Sequence, residues 1–231
     1  MNNKYDIIVI GGGHAGCEAA HAASRKKLKT CLVTISKTSI GQMSCNPAIG
    51  GLGKTHLVRE VDAAGGIMAE ATDASGIQYR TLNTRKGETV RSLRVQCDRE
   101  KYKKAVQKIM GETSIDIIEA EVEDIDVNNG KAEAVVLNSG KKLIGGAIIL
   151  TTGTFLKGVM YKGDKKTEGG RAGDKASVKL SEKLYSLELP MGRLKTGTPA
   201  RIKLTSLNLE SMEEQPGESP TPWMSKKGDN K

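Results

Sequence analysis

The fold is decided by the stretch Tyr5-Asp6-Ile7-Ile8-Val9-Ile10-Gly11-Gly12-Gly13-His14-Ala15-Gly16. Its first half, Tyr5–Ile10, is a nearly continuous apolar run, which is typical of a parallel strand covered on both faces. The second half matches the pattern G-x-G-x-x-G at Gly11, Gly13 and Gly16. A strand that runs directly into this pattern predicts an anion-binding turn at the start of a helix, where free N–H groups and the helix dipole favour negative charge.

The residues that follow extend this turn into a strand–turn–helix–strand unit. The small residues of Cys17–Ala23 predict a helix packed closely on a sheet, and Lys29–Ile35 predicts a second strand. In such a unit Gly11 permits the tight turn, Gly13 lets the backbone approach a pyrophosphate, and Gly16 lets helix and strand come close. The predicted dinucleotide-binding residues are Gly11, Gly12, Gly13, His14, Ala15 and Gly16.

One feature common in dinucleotide-binding units is absent. The second strand usually ends in Asp or Glu, which binds a ribose hydroxyl, whereas here the chain continues as Thr34-Ile35-Ser36-Lys37. We expect Thr34 or Ser36 to take this place as a neutral hydrogen-bond partner. An ordinary glycine turn in an α/β domain is the alternative interpretation.

Later segments predict the rest of the domain. Ile115–Val127 and Lys131–Leu143 predict β structure on either side of the hairpin signal Asn128-Asn129-Gly130. Ala147–Thr154 predicts a buried strand ending in small residues, which allow a dinucleotide to approach the backbone. A Rossmann unit, a β-meander and a return strand in this order are typical of FAD-dependent two-dinucleotide flavoproteins. The predicted fold class is therefore α/β, a Rossmann-like FAD-binding domain with a β-meander, which we expect to be incomplete at its C-terminus.

The stretch Gly41–Thr55 has two interpretations. Ala48–Thr55 resembles the phosphate-loop pattern with its first glycine replaced. Ala48 takes the place of that glycine, and four residues separate it from Gly53-Lys54-Thr55. Ser44-Cys45-Asn46-Pro47 instead predicts an exposed turn, and no buried strand leads into a glycine loop here. We therefore expect no triphosphate site, and we expect Cys45 to be an exposed redox or nucleophilic thiol. A structural turn cysteine is the alternative.

Composition sets further limits. The 231 residues suffice for one sizeable α/β domain, and with one Trp and one Phe its core must be aliphatic. The four cysteines form no C-x-x-C pair and no metal-ligand spacing with the three histidines, so we expect no metal site. No signal peptide or membrane-spanning run is evident, so we expect a reduced, cytoplasmic setting.

The formal net charge is +9, and the densest basic stretch is Gln78–Lys108. A basic patch favours a polyanion. The lysines between residues 101 and 108 lie outside the apolar stripe of a predicted helix, so a solvated helix face is their preferred interpretation. The arginines that precede this helix are better candidates for binding a flavin or RNA phosphate, and they are Arg80, Arg85, Arg91 and Arg94.

Together these motifs resemble the large, FAD-binding subunit of the tRNA uridine 5-carboxymethylaminomethyl modification enzyme, the glucose-inhibited division protein A family. The motifs that carry the resemblance are, in order, Gly11–Gly16, Gly41–Gly51, His56–Ala63, Gly153–Leu156, Gly169–Asp174 and Gly192–Pro199. The chain departs from the family at Lys86–Val90, where Lys-Gly-Glu-Thr-Val replaces Lys-Gly-Pro-Ala-Val. This departure puts any ligand contact at that loop in doubt.

The resemblance implies an organisation and a set of partners. An FAD-binding domain covers residues 1–203, and residues 204–231 form a polar tail that begins a truncated following region. The chain then covers only the N-terminal part of a longer protein, without its NADH-binding region and its docking domain for a partner GTPase. The implied cofactors are FAD and NADH. The implied partners are tRNA, the GTPase, methylenetetrahydrofolate and a second copy of the subunit, with no membrane.

The resemblance also implies an activity, the addition of a carboxymethylaminomethyl or aminomethyl group to carbon 5 of the wobble uridine of tRNA. Cys45 would be a catalytic or substrate-contacting thiol, Val122 would contact adenine through its backbone, and Ser177 would contact FAD. A core valine and a helix N-cap serine are the alternatives for the last two. Alternative functions are a folate- and FAD-dependent tRNA uracil-5 methyltransferase, a generic FAD oxidoreductase and an inactive FAD-binding fragment. We expect no modification activity from these 231 residues alone.

Overall fold

A computed structural model describes residues 3–170, 173, 176–197, 200 and 202–226. The strands are β1 Lys4–Ile10, β2 Thr30–Thr34, β3 Ala48–Gly50, β4 Gly76–Leu82, β5 Ser92–Cys97, β6 Asp116–Glu119, β7 Val122–Asn128, β8 Lys131–Leu137, β9 Lys142–Leu150, β10 Val159–Lys162 and β11 Lys165–Glu168. The α-helices are α1 His14–Arg25, α2 Thr55–Ala63, α3 Met68–Asp73, α4 Arg99–Gly111 and α5 Lys179–Ser186. The motif residues Arg171, Ala172, Asp174, Thr198 and Pro199 lie outside the described residues.

The main sheet has six strands in the order β6-β2-β1-β9-β8-β7. The first four strands are parallel, and the last two are antiparallel to their neighbours. Strand β9 joins the two parts, because Ile144–Leu150 pairs with β1 while Lys142–Ile144 pairs with β8. The return strand is therefore shared between the Rossmann sheet and the meander.

The meander folds over one face of the parallel strands. Only two residues separate β6 from β7, yet these strands stand at opposite ends of the sheet order. Ile8 and Val33 of the parallel strands share a buried cluster with Ile125 and Val135 of the meander. The segment predicted as one run over Ile115–Val127 is thus two strands, because the chain must cross the sheet between them.

Helices α1 and α4 cover the other face. Their small and aliphatic side chains share a cluster with Val9 and Leu32, and Tyr102 of α4 is the largest fully buried side chain. Asp98 caps α4 by accepting hydrogen bonds from the N–H groups of Glu100 and Lys101. Among the helices of the described ranges, none is long and apolar enough to cross a bilayer.

The meander hairpin has the predicted turn. Asn129 and Gly130 both have positive φ, 50° and 75°, as a two-residue primed turn requires. The buried strand predicted over Ala147–Thr154 ends at Leu150 and is more exposed than expected, with Leu150 at 38% of its maximal exposure. Leu150 pairs with Ile10 and therefore lies on the meander face of the sheet, where β8 pairs only with the first residues of β9 and leaves the end of β9 partly open.

Between β2 and α4 the chain forms a second, antiparallel sheet in the order β3-β5-β4. The segment near the C-terminus, predicted as a polar tail, packs on this sheet. Glu218 accepts hydrogen bonds from the N–H and hydroxyl of Thr81, and Met224 is buried. Asp73 accepts hydrogen bonds from the N–H groups of Met224 and Ser225. The division of the chain after residue 203 remains a prediction.

Candidate functional site

A cleft of about 340 Å³ opens at the carboxyl ends of β1 and β9. Ligands of open α/β sheets bind at this edge of the parallel strands. The cleft is bounded by the glycine turn, by the end of β2, by the link between β6 and β7 and by the segment after β9. Its lining residues include Gly11, Gly12, Gly13, His14, Ala15, Thr34, Ser44, Glu121, Val122, Thr151, Gly153 and Ser177.

Two glycines of the turn are required by the protein itself. Gly11 has φ of 109°, and a Cβ there would collide with the carbonyl group of Thr151. A Cβ on Gly16 would collide with the carbonyl oxygen of Gly11. Thr151 also bonds the turn, since its hydroxyl lies 2.8 Å from the carbonyl oxygen of Ile10. The end of β9 and the start of α1 therefore meet at backbone distance.

Gly13 differs, because nothing in the chain requires a glycine there. Its backbone is extended, with φ of −75° and ψ of −172°, and no heavy atom lies within 4 Å of a Cβ built on it. It is the N-cap of α1, which has neither a side-chain cap nor an acidic residue in its first turn. The free N–H groups of α1 thus face open space. This arrangement fits a bound phosphate, which would approach where a Cβ would otherwise lie.

His14 begins α1 and packs against α4. Its Nδ1 lies 3.2 Å from the hydroxyl of Tyr102, and the two rings meet edge to face at 5.4 Å between centroids. Burial lowers the pKa of His14 and raises the pKa of Tyr102. A neutral imidazole and a protonated phenol therefore stand beside the glycine turn. Sequence analysis assigned no role at this turn to Tyr102, which is one of the buried residues of α4.

The lowered pKa of His14 predicts a pH dependence of stability. Below the ordinary value of 6.5, the unfolded chain binds a proton at His14 that the folded chain does not. Stability from this group is thus present above about pH 6.5 and is lost as pH falls towards the folded pKa. We expect His14→Gln, which keeps a polar partner for Tyr102, to lose less stability on acidification than the parent. The urea midpoints of both chains, measured from pH 7.5 to pH 5, give this difference. An equal fall of the midpoint with pH in the two chains would contradict the prediction.

Of the two candidates for a ribose contact, only Thr34 is among the residues that line the cleft. Its hydroxyl donates to the carbonyl oxygen of Ser36 at 3.3 Å. An acidic residue is nevertheless present, because Glu121 lines the same cleft. Sequence reasoning missed Glu121 because it follows β6, which lies beside β2 only in the folded sheet.

Val122 and Ser177 come together at the cleft from distant parts of the chain. Val122 is the first residue of β7 and is buried. Ser177 pairs in parallel with Leu156, and its N–H donates to the carbonyl oxygen of Phe155. Ser177 is not the N-cap of α5, since Val178 holds that position. Both residues thus line the same cleft as the glycine turn.

Cys45 lies in an exposed bend directly after Ser44, which lines the cleft. Arg99 at the start of α4 anchors this bend, because its guanidinium donates to the carbonyl oxygens of Met43 and Cys45. Sequence reasoning counted Arg99 only as part of a basic stretch. The other three cysteines are buried, so Cys45 is the accessible thiol of the chain.

The Gly-Lys-Thr sequence does not form a phosphate loop. Thr55 is buried, and its hydroxyl bonds the carbonyl oxygen of Leu93 and accepts from the N–H of Gly51. A phosphate loop instead needs this hydroxyl free to bind Mg²⁺. The four arginines that precede α4 in the basic stretch also lie apart from the cleft, since none is among its lining residues.

The parallel strands, the glycine turn at α1 and the cleft above them define a dinucleotide-binding protein of the Rossmann type. The model of the family described as "Glucose inhibited division protein A" matches residues 6–230. The chain belongs to the glucose inhibited division protein A family, as its motifs predicted.

Solved structures agree with this assignment. GidA of Aquifex aeolicus, in two crystal forms, superposes with a TM-score of 0.91 at 45% sequence identity over 96% of this chain. The match confirms the predicted fold class, and this chain spans 37% of the Aquifex chain. The GidA-related protein from Thermus thermophilus has a TM-score of 0.57 at 17% identity, covering 79% of this chain and 68% of its own. That likeness concerns the fold alone.

Proposed function

We propose that the chain binds FAD in the cleft at α1 and forms part of the FAD-binding subunit of an enzyme that modifies tRNA. In this proposal the enzyme adds an aminomethyl or carboxymethylaminomethyl group to carbon 5 of the wobble uridine. The observation that carries it is the open approach to Gly13 at the bare N-terminus of α1, in a chain that belongs to this family. An open phosphate position beside two sterically required glycines is what a dinucleotide cradle needs.

Each side of the cleft has a part in holding the cofactor. The N–H groups at Gly13 and the first turn of α1 would bind the pyrophosphate, which the helix dipole also favours. The backbone of Val122 would contact adenine, and Glu121 or Thr34 would accept from a ribose hydroxyl. Ser177 would donate to FAD from the opposite wall. When bound, FAD would carry the hydride that the reaction transfers.

Cys45 is the residue proposed to act on the substrate. Carbon 5 of uracil is a weak nucleophile, and a thiolate that adds to carbon 6 converts the ring into an enolate. The enolate carbon can then form a bond with an iminium carbon supplied by methylenetetrahydrofolate. Loss of the carbon 5 proton then expels tetrahydrofolate and leaves an exocyclic methylene at carbon 5. An amine adds to this methylene carbon, and departure of the thiolate from carbon 6 restores the uracil ring with the aminomethyl group attached. Exposure of Cys45 and the anchoring of its bend by Arg99 support this role.

The remaining parts of the proposal concern the longer protein. NADH would reduce FAD, a partner GTPase would bind, and two subunits would form a homodimer. The matched Aquifex chain is longer than this one, since 37% of it is covered. We therefore propose that the residues described here supply cofactor and substrate contacts rather than a whole enzyme.

Two measurements test the proposal. Flavin absorbance of the purified chain, after FAD titration and gel filtration, is expected to show stoichiometric FAD. Nucleoside analysis of tRNA from a strain that lacks the family's large subunit and expresses only these 231 residues is expected to show no wobble modification. A chain that retains no FAD would overturn the cofactor proposal, and restored modification would show that these residues suffice.

A further inference from the structure

The antiparallel β4–β5 pair carries two arginines directly opposite each other. The register pairs Arg80 with Arg94 and Gln78 with Gln96. Directly opposed residues of an antiparallel pair share one face of the sheet, with Cβ atoms roughly 5 Å apart. The alternate residues, Tyr79 and Val95, are buried in the core on the other face. We call the four polar residues Gln78, Arg80, Arg94 and Gln96 the arginine face.

The charges of this face are not balanced within the described residues. Arg80 donates to the side-chain oxygen of Gln215 at 3.0 Å, which is a neutral partner. Arg94 is half-buried, and its guanidinium forms neither a hydrogen bond nor an ion pair with any residue in the described part of the chain. Like charges directly opposite each other destabilise a sheet. A guanidinium also leaves five N–H donors without acceptors when nothing binds it.

The third strand places this face next to the cysteine bend. Ala48 and Gly50 of β3 pair with Gln96 and Arg94, and neither has a side chain larger than a methyl group. Ala48 begins β3 three positions after Cys45. None of the four residues of the arginine face lines the dinucleotide cleft. An anion bound there would therefore lie outside the cleft and near the bend that carries the thiol.

We propose that the arginine face binds a backbone phosphate of the RNA substrate near the uridine that Cys45 reaches. The inference rests on the proposed function, in which the substrate is tRNA. Paired guanidinium groups match phosphate oxygens with bidentate hydrogen bonds. Of the flanking glutamines, Gln78 already donates to the carbonyl oxygen of Gln215, so Gln96 is the one that would bind sugar or base. A phosphate of the flavin cofactor has the same oxygen acceptors as an RNA phosphate. The proposed function already places the flavin phosphates at the N-terminus of α1, so the arginine face is assigned to RNA. The net charge of +9 favours a polyanion as well.

A charge-matched pair of variants tests the site. Arg80→Gln with Arg94→Gln removes two charges from the arginine face, and Lys104→Gln with Lys108→Gln removes two from the solvated face of α4. The probe is an unmodified tRNA transcript with uridine at the wobble position, and its binding to the chain is followed by fluorescence anisotropy over a salt series. We expect the arginine variant to bind about tenfold more weakly and to lower the salt slope by about one. The lysine variant is expected to change both quantities much less.

Two further readouts separate this site from the rest of the proposal. FAD affinity, measured on the same samples, is expected to be equal in the parent and the arginine variant, and Arg94→Lys is expected to bind the transcript with intermediate affinity. Thermal unfolding without RNA is expected to show the arginine variant no less stable than the parent, because a repulsive pair is removed. Any of three results would overturn the site. These are equal transcript binding by the two double variants, no transcript binding by the parent, and a loss of FAD affinity in the arginine variant. FAD binding by the parent tests the flavin proposal independently.

Discussion

Gly16→Ala is expected to destabilise the chain by about 3 kcal/mol and to abolish FAD binding. The added methyl group collides with the carbonyl oxygen of Gly11, a backbone atom that cannot turn away. Gly11 cannot move away, because its N–H donates a hydrogen bond to the carbonyl oxygen of Val33. The carbonyl group of Thr151 also lies against it. Overpacking of this kind costs about 1–3 kcal/mol when side chains yield, and here the obstacle is backbone. Helix α1 must therefore separate from β1, and the phosphate cradle is lost with it.

Gly13→Ser is the matched change three residues earlier, with the opposite effect on stability. Its φ and ψ suit any residue, and no atom obstructs the new side chain. Serine is a preferred N-cap, so the hydroxyl is expected to stabilise α1 by up to about 1 kcal/mol. The same side chain fills the approach of the phosphate and competes for the helix N–H groups. FAD affinity is expected to fall at least about tenfold, equivalent to about 1.4 kcal/mol.

Urea unfolding and FAD titration of the parent and both variants decide this comparison. The expected pattern is loss of stability and of binding together in Gly16→Ala, and loss of binding alone in Gly13→Ser. If Gly13→Ser bound FAD as tightly as the parent, the phosphate would not lie at the N-terminus of α1. A stable Gly16→Ala chain would mean that α1 and β1 do not meet as closely as described.

Cys45→Ser is expected to eliminate the rapid reaction of the native chain with a thiol reagent such as Ellman's reagent. Cys45 is exposed and the other three cysteines are buried. Burial raises the pKa of Cys17 and of Cys31 to about 12 and also raises that of Cys97. The thiolate is the reactive form, so these three should react at least roughly a hundredfold more slowly. The parent should therefore show one fast thiol per chain and four after denaturation.

Cys17→Ser serves as the control for this prediction, because it removes a buried thiol and should leave the fast phase unchanged. The Cys45→Ser chain should still bind FAD, since Ser44 rather than Cys45 lines the cleft. Transcript binding in the presence of FAD should slow labelling of Cys45 if the thiol faces the substrate. A second fast thiol in the native parent would contradict the described burial. Unchanged labelling with saturating transcript would count against the proposed contact between Cys45 and uridine.

Local pattern predicted much of this protein. The apolar run Tyr5–Ile10 followed by the spaced glycines strongly predicts a strand–turn–helix unit, because the glycine pattern forms the tight turn between a buried strand and a helix. The turn over Asn128–Gly130 was also predictable, since positive φ at two successive residues strongly favours Asn and Gly. Sequence motifs identified the family, and the comparisons with known structures confirmed it.

Features that depend on packing between distant segments were missed or mistaken. The end of β9 was expected to be buried, but Leu150 is exposed because β8 pairs only with the first residues of β9. The sequence of a strand does not show how far its neighbours extend along it. Glu121 lines the cleft only because β6 lies beside β2. Arg99 holds the Cys45 bend across more than fifty residues of intervening chain, and no local pattern signals that contact.

The sequence alone determined the Rossmann unit, the glycine turn at the start of α1 and an exposed turn around Cys45, since each depends on neighbouring residues and their backbone preferences. Tertiary structure alone decided which glycines are sterically required, because the obstacle to Gly11 is Thr151, far along the chain. It also decided that Arg80 and Arg94 face each other, since strand register sets which residues oppose. Burial and close approach arise from the whole chain folding together, and so they become visible only in the folded molecule.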